Sequence, residues 1–366
     1  MSLEDKIKNI LKEKGHMTTD EYMSVCLYDD EFGYYRVHDP IGRDGDFITS
    51  PEISQTFGEM IGAWLAATWS SVDSPKEKIL VELGPGRGTL MKDILRATKN
   101  VDGFHDGLEV HLVEVNEKLR DRQRNVLEHE KVEIFWHDSV DDLPAKPIFL
   151  VANEFFDALP IVQFTKMKKG WRENIIRLDE EGNLEFGILE KKTKPCKLVP
   201  EEFDDAKVGD FYEMSPYSIE VIEKISEHIK KHDGAALIID YGYFKNELAD
   251  TFQSVKAHKY HNPLKTPGEA DLTAHVNFPN LQKVAIKKGV NAYANVTQGE
   301  LLVSLGIGIR AKAIMEKLNG RDKDVFGDAI KKLISVDEMG SLFKCMAIMR
   351  QDRDVPYGFY SYMVDL

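Results

Sequence analysis

The sequence predicts an α/β fold: a mostly parallel, doubly wound sheet with an N-terminal helical extension and an inserted antiparallel β element. Three observations predict it. Strand-like and helix-like segments alternate after Pro75, the pattern that brings parallel strands together through crossover helices. Two of those strands run apolar into an acid, Val81-Glu82 and Ile239-Asp240. Between them, 161–189 changes to short runs separated by turn residues, as antiparallel strands do.

The elements follow in order. Residues 3–14 set Ile7, Ile10 and Leu11 at helical spacing, and Thr18-Thr19-Asp20-Glu21 has the form of a capping box opening a second helix toward Leu27. Ser50-Pro51 supplies an N-cap residue and a proline at the first helical position. One helix is expected there, with Ile53, Phe57, Met60, Ile61, Trp64 and Leu65 on its apolar face. Residues 1–75 are therefore expected to form the helical region with a cofactor-closing loop, and 76–366 the sheet domain, interrupted by a β insertion at 161–212. Parallel strands are expected at 79–83, 109–115, 132–136 and 148–152, with a helix over 89–96. Antiparallel strands are expected at 161–167, 171–178 and 184–189, the last two joined by a turn over 179–183. A helix at 216–231, a strand at 235–240, helices at 277–288 and 299–317 and a strand at 343–349 complete the chain.

Composition narrows the function. A chain of 366 residues with 42% hydrophobic and 30% charged residues is expected to be soluble and globular. No apolar run approaches the roughly 18 residues that span a bilayer, so no membrane insertion is expected. Met1-Ser2-Leu3-Glu4-Asp5-Lys6 has neither an apolar signal core nor an Arg-rich, acid-poor character. A cytoplasmic location is expected, or the mitochondrial matrix for a chain whose presequence has been removed. Cys26, Cys196 and Cys345 are far apart, and His258 and His261 have no third ligand nearby, so neither disulfides nor a metal are expected. A net charge of −14 argues against nucleic-acid binding and suits a cationic substrate or peptide. A homodimer is the assembly left open.

The cofactor is read from Ile79-Leu80-Val81-Glu82-Leu83-Gly84-Pro85-Gly86-Arg87-Gly88. The position three after Gly86 is Thr89, so the spacing of a dinucleotide loop is not met, and the loop points to S-adenosylmethionine. Gly84, Gly86 and Gly88 let backbone pass against a ligand, and the following helix offers free N–H groups to a carboxylate. Glu82 can reach the methionine amino group or a loop amide. The loop alone leaves an ordinary glycine-rich turn as the alternative. Glu114, at the end of the second strand, can accept both ribose hydroxyls, and Asp138-Ser139 suit adenine edge contacts or a simple Asx-type turn. The loop 45–52, with Asp46, Thr49 and Glu52, is expected to close over the methionine end or to cap a helix.

The chemistry is placed in Val151-Ala152-Asn153-Glu154-Phe155-Phe156-Asp157-Ala158-Leu159-Pro160, the loop after the fourth strand, with Asn153 on the cofactor side. Methyl transfer is an in-line displacement accelerated chiefly by alignment. A guanidinium is always protonated and presents a planar fork that carboxylates bind, so Glu154 and Asp157 can clamp an arginine while Phe155 and Phe156 exclude water. Local turn-capping by Asn153 and Asp157, with both phenylalanines in the core, is the alternative. Asp240-Tyr241-Gly242 and Asp271-Leu272-Thr273-Ala274-His275-Val276 can complete the pocket, His275 relaying a proton or holding a carboxylate.

The chain resembles the MidA family of S-adenosylmethionine-dependent methyltransferases. The resemblance lies in Tyr22-Met23, Phe32-Gly33-Tyr34-Tyr35, 45–54, Phe57-Gly58-Glu59, 81–90, 151–160, Gly170-Trp171-Arg172-Glu173, 239–242, 267–276 and Leu305-Gly306. Asn-Glu-Phe-Phe-Asp-Ala-Leu-Pro and Asp-Leu-Thr-Ala-His-Val are far more specific than the glycine loop. The resemblance implies a Rossmann-like class I methyltransferase fold, with S-adenosylmethionine as cofactor and S-adenosylhomocysteine as product. It also implies an exposed arginine on a partner protein as acceptor, symmetrically dimethylated, with a respiratory complex I subunit as one such partner. Gly84, Gly86, Gly88, Glu114, Glu154 and Asp157 match the family's motifs. His275 sits in Thr273-Ala274-His275-Val276, which departs from the Thr-His-Trp loop of other arginine methyltransferases. A methyltransferase for a small molecule or another residue, and a non-catalytic complex I assembly chaperone, are the alternatives.

Overall fold

The structure is a computed structural model that describes residues 2–37, 49–191, 193, 195–256 and 259–360. It contains two compact units. One comprises Met1–Phe47, Asp157–Glu220 and Lys245–His275, and the other Ile48–Phe156, Val221–Phe244 and Val276–Leu366. The helices before residue 75 thus do not form a region of their own. Leu3–Lys14 and Thr19–Tyr28 belong with the β insertion, and Gln55–Ser71 belongs with the parallel sheet.

The second unit is built on β1 (Lys78–Leu83), β2 (Leu108–Val113), β3 (Glu133–His137), β4 (Ile148–Asn153), β5 (Gly234–Tyr243), β6 (Val290–Thr297) and β7 (Phe343–Arg350). Their order is β3-β2-β1-β4-β5-β7-β6, with β7 antiparallel to both its neighbours and the short strand Val276–Asn277 beside the end of β5. All six residues of β1 and of β4 are buried, which is why Ile79-Leu80-Val81 and 148–152 read as apolar runs. Strand order reverses between β1 and β4, where open α/β sheets bind ligands beyond their carboxyl ends. Register aligns those ends, Leu83 facing Ala152 and Ile239 facing Asn153.

Helix Gln55–Ser71 packs against helix Thr89–Thr98, and glycines set the approach. A Cβ at Gly58 would lie 2.5 Å from the Asp93 Cβ, and one at Gly62 3.1 Å from the Ala97 Cβ. The helix expected from Ser50 is two helices, Ser50–Ile53 and Gln55–Ser71. Ser54 between them is extended, at φ −158°, and its Oγ accepts the Thr56 N–H, capping the second. Apolar spacing runs on across the break and hides it. The expected 299–317 helix is likewise divided, into Gln298–Ser304 and Ile307–Met315, by Gly306 at φ +88°.

The first unit has an antiparallel sheet ordered Met17–Thr18, Gly170–Leu178, Val162–Met167, Phe211–Met214, with Leu184–Ile188 also pairing Gly170–Leu178. A second sheet joins Lys259–His261, Gln253–Lys256 and Asp271–Thr273. Ile7, Leu11, Tyr22 and Met23 of its helices bury themselves with Ile161, Ile176 and Leu272. No helix among the described residues is long and apolar enough to cross a membrane.

The start of β5 is the tightest backbone approach in the sheet. Gly234 stands at φ +112°, and a Cβ there would lie 1.9 Å from the Ile148 carbonyl oxygen. Gly234→Ala is expected to destabilise the protein by roughly 3 kcal/mol or more, combining backbone strain with overpacking. Urea unfolding should show a lower midpoint at unchanged slope; an unshifted midpoint would mean that β4 and β5 part freely.

Candidate functional site

Three strands of the parallel sheet carry buried acids in their C-terminal halves or just past their ends, Glu82, Glu114 and Asp240. Glu82, next to last in β1, is 3% exposed, and burial pushes its carboxyl up to about 8, helped by the charge of Glu114 and opposed by the Met91 N–H. That N–H is the third of helix Thr89–Thr98, so Glu82 holds the helix start that follows the glycine loop. Among the described residues the Glu82 Oε2 has no hydrogen-bond partner. Gly84, Gly86 and Gly88 all lie in the left-handed region, at φ +61°, +52° and +81°, which glycine adopts without steric cost. At Gly84 a Cβ would also approach the Phe155 ring to 3.0 Å.

Glu114 follows β2. Its Oε1 accepts the Asn116 N–H at 2.9 Å, and burial pushes its carboxyl up to about 7. Asn116 caps helix Glu117–Leu127, accepting from the Lys118 and Leu119 N–H groups. From that helix Arg120 donates to the Glu114 carbonyl at 2.6 Å and pairs with Asp138 at 2.6 Å. Gln123, fully buried, donates through Nε2 to the Gly86 carbonyl at 2.7 Å and to Glu114 Oε2 at 3.4 Å, while its Oε1 accepts the Trp136 indole N–H at 2.9 Å. Ser139 caps a short turn by accepting the Asp141 N–H at 3.2 Å.

Beyond β4, Glu154 is one of few non-glycine residues at positive φ, +51°. Its Oε1 accepts from the Ser50 N–H at 3.0 Å and from Asn153 Nδ2 at 2.9 Å. Asn153 Oδ1 is a second buried acceptor without a partner among the described residues. Asp240, on β5 and fully buried, holds the loop: its Oδ2 accepts the Phe155 and Phe156 N–H groups at 3.1 and 2.9 Å, and Oδ1 accepts its neighbour Tyr241 at 3.0 Å. Glu52 accepts the Thr89 hydroxyl at 2.6 Å, and Thr49 is the N-cap residue of Ser50–Ile53, with no side-chain cap bond.

One sheet edge thus gathers Thr49, Glu52, Glu82, Gly84, Gly86, Gly88, Glu114, Asp138, Ser139, Asn153 and Glu154. Asp46 and His258 lie outside the described residues. Asp157 and His275 belong to the other unit. There the Asp157 carbonyl accepts the Ala274 N–H at 3.0 Å, and the His275 N–H donates to the Thr251 hydroxyl at 2.9 Å. Thr251 in turn donates to Glu213, a 5% exposed acid that also accepts from Gln163 at 2.8 Å. Tyr35 donates to Asp271 at 2.9 Å.

Sequence reasoning missed Gln123 and Arg120 because charged residues dominate the exposed faces of the Glu117–Leu127 helix, and Trp136 because it reads as an ordinary residue of β3. The available signal was Leu119, Gln123 and Leu127, four residues apart, the buried stripe of that helix with a polar residue at its centre.

Comparison with known proteins gives concordant results. The family model described as "Putative S-adenosyl-L-methionine-dependent methyltransferase" matches residues 60–296. The mitochondrial protein arginine methyltransferase NDUFAF7 of Xenopus tropicalis is 38% identical, over 94% of this chain and 84% of its own length. The human protein of that name is 35% identical, over 94% and 82%. A crystal structure of a COG1565 superfamily member and likely methyl transferase from Burkholderia thailandensis, bound to S-adenosyl-homocysteine, superposes with a TM-score of 0.84 at 24% identity, covering 98% of this chain and 94% of that one. That likeness shows the fold.

The arrangement around Asp240 generates a direct test. Asp240→Asn keeps the volume but presents one accepting oxygen to three N–H groups, setting an amide donor against another donor. Stability should fall by about 1–3 kcal/mol, and the Phe155 and Phe156 amides should exchange hydrogen faster. Unchanged exchange at those two amides would show that Asp240 does not hold the loop.

Proposed function

Because this chain belongs to the family of S-adenosyl-L-methionine-dependent methyltransferases, we propose that it methylates an arginine side chain of a partner protein. The observation that carries the reading is Glu154: a carboxylate next to the sheet's switch point, held by two donors on one oxygen and by a left-handed backbone. The names of the curated relatives support the choice of arginine.

The residues present fit the cofactor. Glu82 Oε2 and Asn153 Oδ1 are buried acceptors of the kind an ammonium group satisfies, and the three left-handed glycines leave backbone, not side chains, along the loop. In this reading Glu82, the glycine loop and Asn153 hold the methionine part, Glu114 the ribose, and Asp138 and Ser139 the adenine side, with Thr49 and Glu52 contributing from the start of helix Ser50–Ile53. When bound, the cofactor supplies a methyl group on a positively charged sulfur. Glu154 contributes a fixed negative charge that orients the planar guanidinium, the charge-assisted geometry carboxylates favour. Alignment supplies most of the acceleration, so the fixing of Oε1 by Ser50 and Asn153 matters more than basicity. Phe155, against Gly84, keeps water from the loop. Symmetric dimethylation, a respiratory complex I subunit as acceptor, and action in the cytoplasm, or in the matrix for a processed chain, belong to the same proposal.

Glu154→Gln, with labelled cofactor and protein extract, should lower methyl incorporation into arginine at least ~100-fold while S-adenosylhomocysteine affinity stays within about threefold. Gly86→Val should abolish binding itself. Label appearing only in metabolites, or a Glu154→Gln rate equal to wild type, would defeat the reading.

A pH dependence follows from the buried acids. Glu82 and Glu114 are raised to about 8 and about 7, so the ligand-free native protein keeps protons that the unfolded chain sheds above its ordinary carboxylate range. Their contribution to stability is therefore full at low pH and declines as pH rises toward 8. A cationic ligand favours the ionised carboxylates, so binding should release protons and tighten between about pH 6 and 8.5. Calorimetry in buffers of different ionisation enthalpy measures the release; none at pH 7.5 would mean that neither acid meets the ligand.

A further inference from the structure

We propose that Gln123 is a positioning residue for cofactor binding, a clamp that sets the glycine loop and the ribose-side carboxylate in register. The proposal rests on the reading of Glu114 as the ribose acid.

Its neighbours fix the orientation of the Gln123 amide. An indole N–H only donates, so the Trp136 contact at 2.9 Å must be made to the Gln123 oxygen. The amide nitrogen then has to face the other way. There it meets two acceptors, the Gly86 carbonyl at 2.7 Å and Glu114 Oε2 at 3.4 Å, one for each of its hydrogens. Three successive strand ends, those of β1, β2 and β3, are thereby tied to one buried side chain. Gly86 is the central glycine of the loop, at φ +52°, so the contact bears on the residue whose conformation shapes the cradle. The third glycine is close by as well: a Cβ at Gly88 would meet the Gln123 Cγ at van der Waals distance, 3.4 Å.

The chemistry is specific to glutamine at this position. A glutamate would accept from Trp136 yet set a second carboxylate against Glu114 and the Gly86 carbonyl. Methionine fills similar space but neither donates nor accepts usefully. The charged groups around it are Glu82 from β1, Glu114 after β2, and Arg120 and Arg124 on its own helix, Arg120 paired with Asp138 and Arg124 stacked over the Trp136 ring at 5.0 Å. Burial already raises both Glu82 and Glu114, so a further acid there would take up its proton in the accessible pH range.

The test compares wild type, Gln123→Met and Gln123→Glu by calorimetric titration with S-adenosylhomocysteine at pH 6.0 and 8.5, folding being checked by thermal melts. Gln123→Met is expected to bind about tenfold or more weakly than wild type at both pH values. Gln123→Glu should show a similar deficit at pH 8.5 and recover to within about threefold at pH 6.0, where the protonated acid regains a donor. Trp136→Phe, which removes the N–H that orients the amide together with part of the ring beneath Arg124, should give a smaller loss in the same direction. Wild-type affinity in both Gln123 variants, or equal deficits for Gln123→Glu at the two pH values, would overturn the clamp and leave the cofactor reading standing. Absence of binding by the wild type would overturn that reading and the clamp with it.

Discussion

An acid buried at the end of an apolar strand must find donors or lose its charge, and this constraint organises the parallel-sheet unit. Desolvation of a carboxylate costs several kcal/mol unless hydrogen bonds replace water. Each acid here takes backbone amides from the chain that follows its own strand or its neighbour, in a loop or at a helix start. Glu82 takes Met91, Glu114 takes Asn116, and Asp240 takes Phe155 and Phe156. The loops acquire fixed conformations because the acids require it. Positions that would otherwise relax, such as the positive φ of Glu154, are held in place from the neighbouring strand.

Satisfaction is deliberately uneven. Asp240 gives both oxygens to backbone amides, the state of an acid whose work is structural. Glu82 and Asn153 each keep one buried acceptor without a partner among the described residues, and both border the glycine loop and the loop after β4. The difference between an acid with both oxygens bonded and one with an oxygen left unbonded could not be read from composition, since these acids all stand at or just past apolar strand ends in the sequence.

Much of this was nevertheless legible. Alternation after Pro75 and the apolar strand runs led to the right sheet, because a strand buried on both faces writes itself as an apolar run. What escaped has physical reasons. The break at Ser54 preserves helical phase, so periodicity passes over it. The Glu117–Leu127 helix shows only three buried side chains, one of them Gln123, and its charged surface reads as solvent. The expected boundary at residue 75 followed helical content, whereas compactness follows packing: Phe57, Ile61, Trp64 and Leu65 share a core with β1 and β4, while Ile7 and Leu11 share one with Ile176 of the β insertion.

The insertion itself shows the same logic applied to a different group. Val162–Met167, Gly170–Leu178 and Phe211–Met214 surround a buried polar chain in which Thr165 donates to Asn174, Asn174 to Gln163, and Gln163 to both Glu213 and Asp250. Glu213, raised to about 7 by burial, accepts from the hydroxyl and N–H of Thr251, and Thr251 accepts the N–H of His275. A fully connected network of this kind rigidifies the segment it ends on, whereas a half-satisfied one would be worse than an apolar core. The backbone of His275 is therefore set from within the inserted sheet. An insertion that carried only surface function would have no need of so many buried polar side chains, each of which must be matched by another.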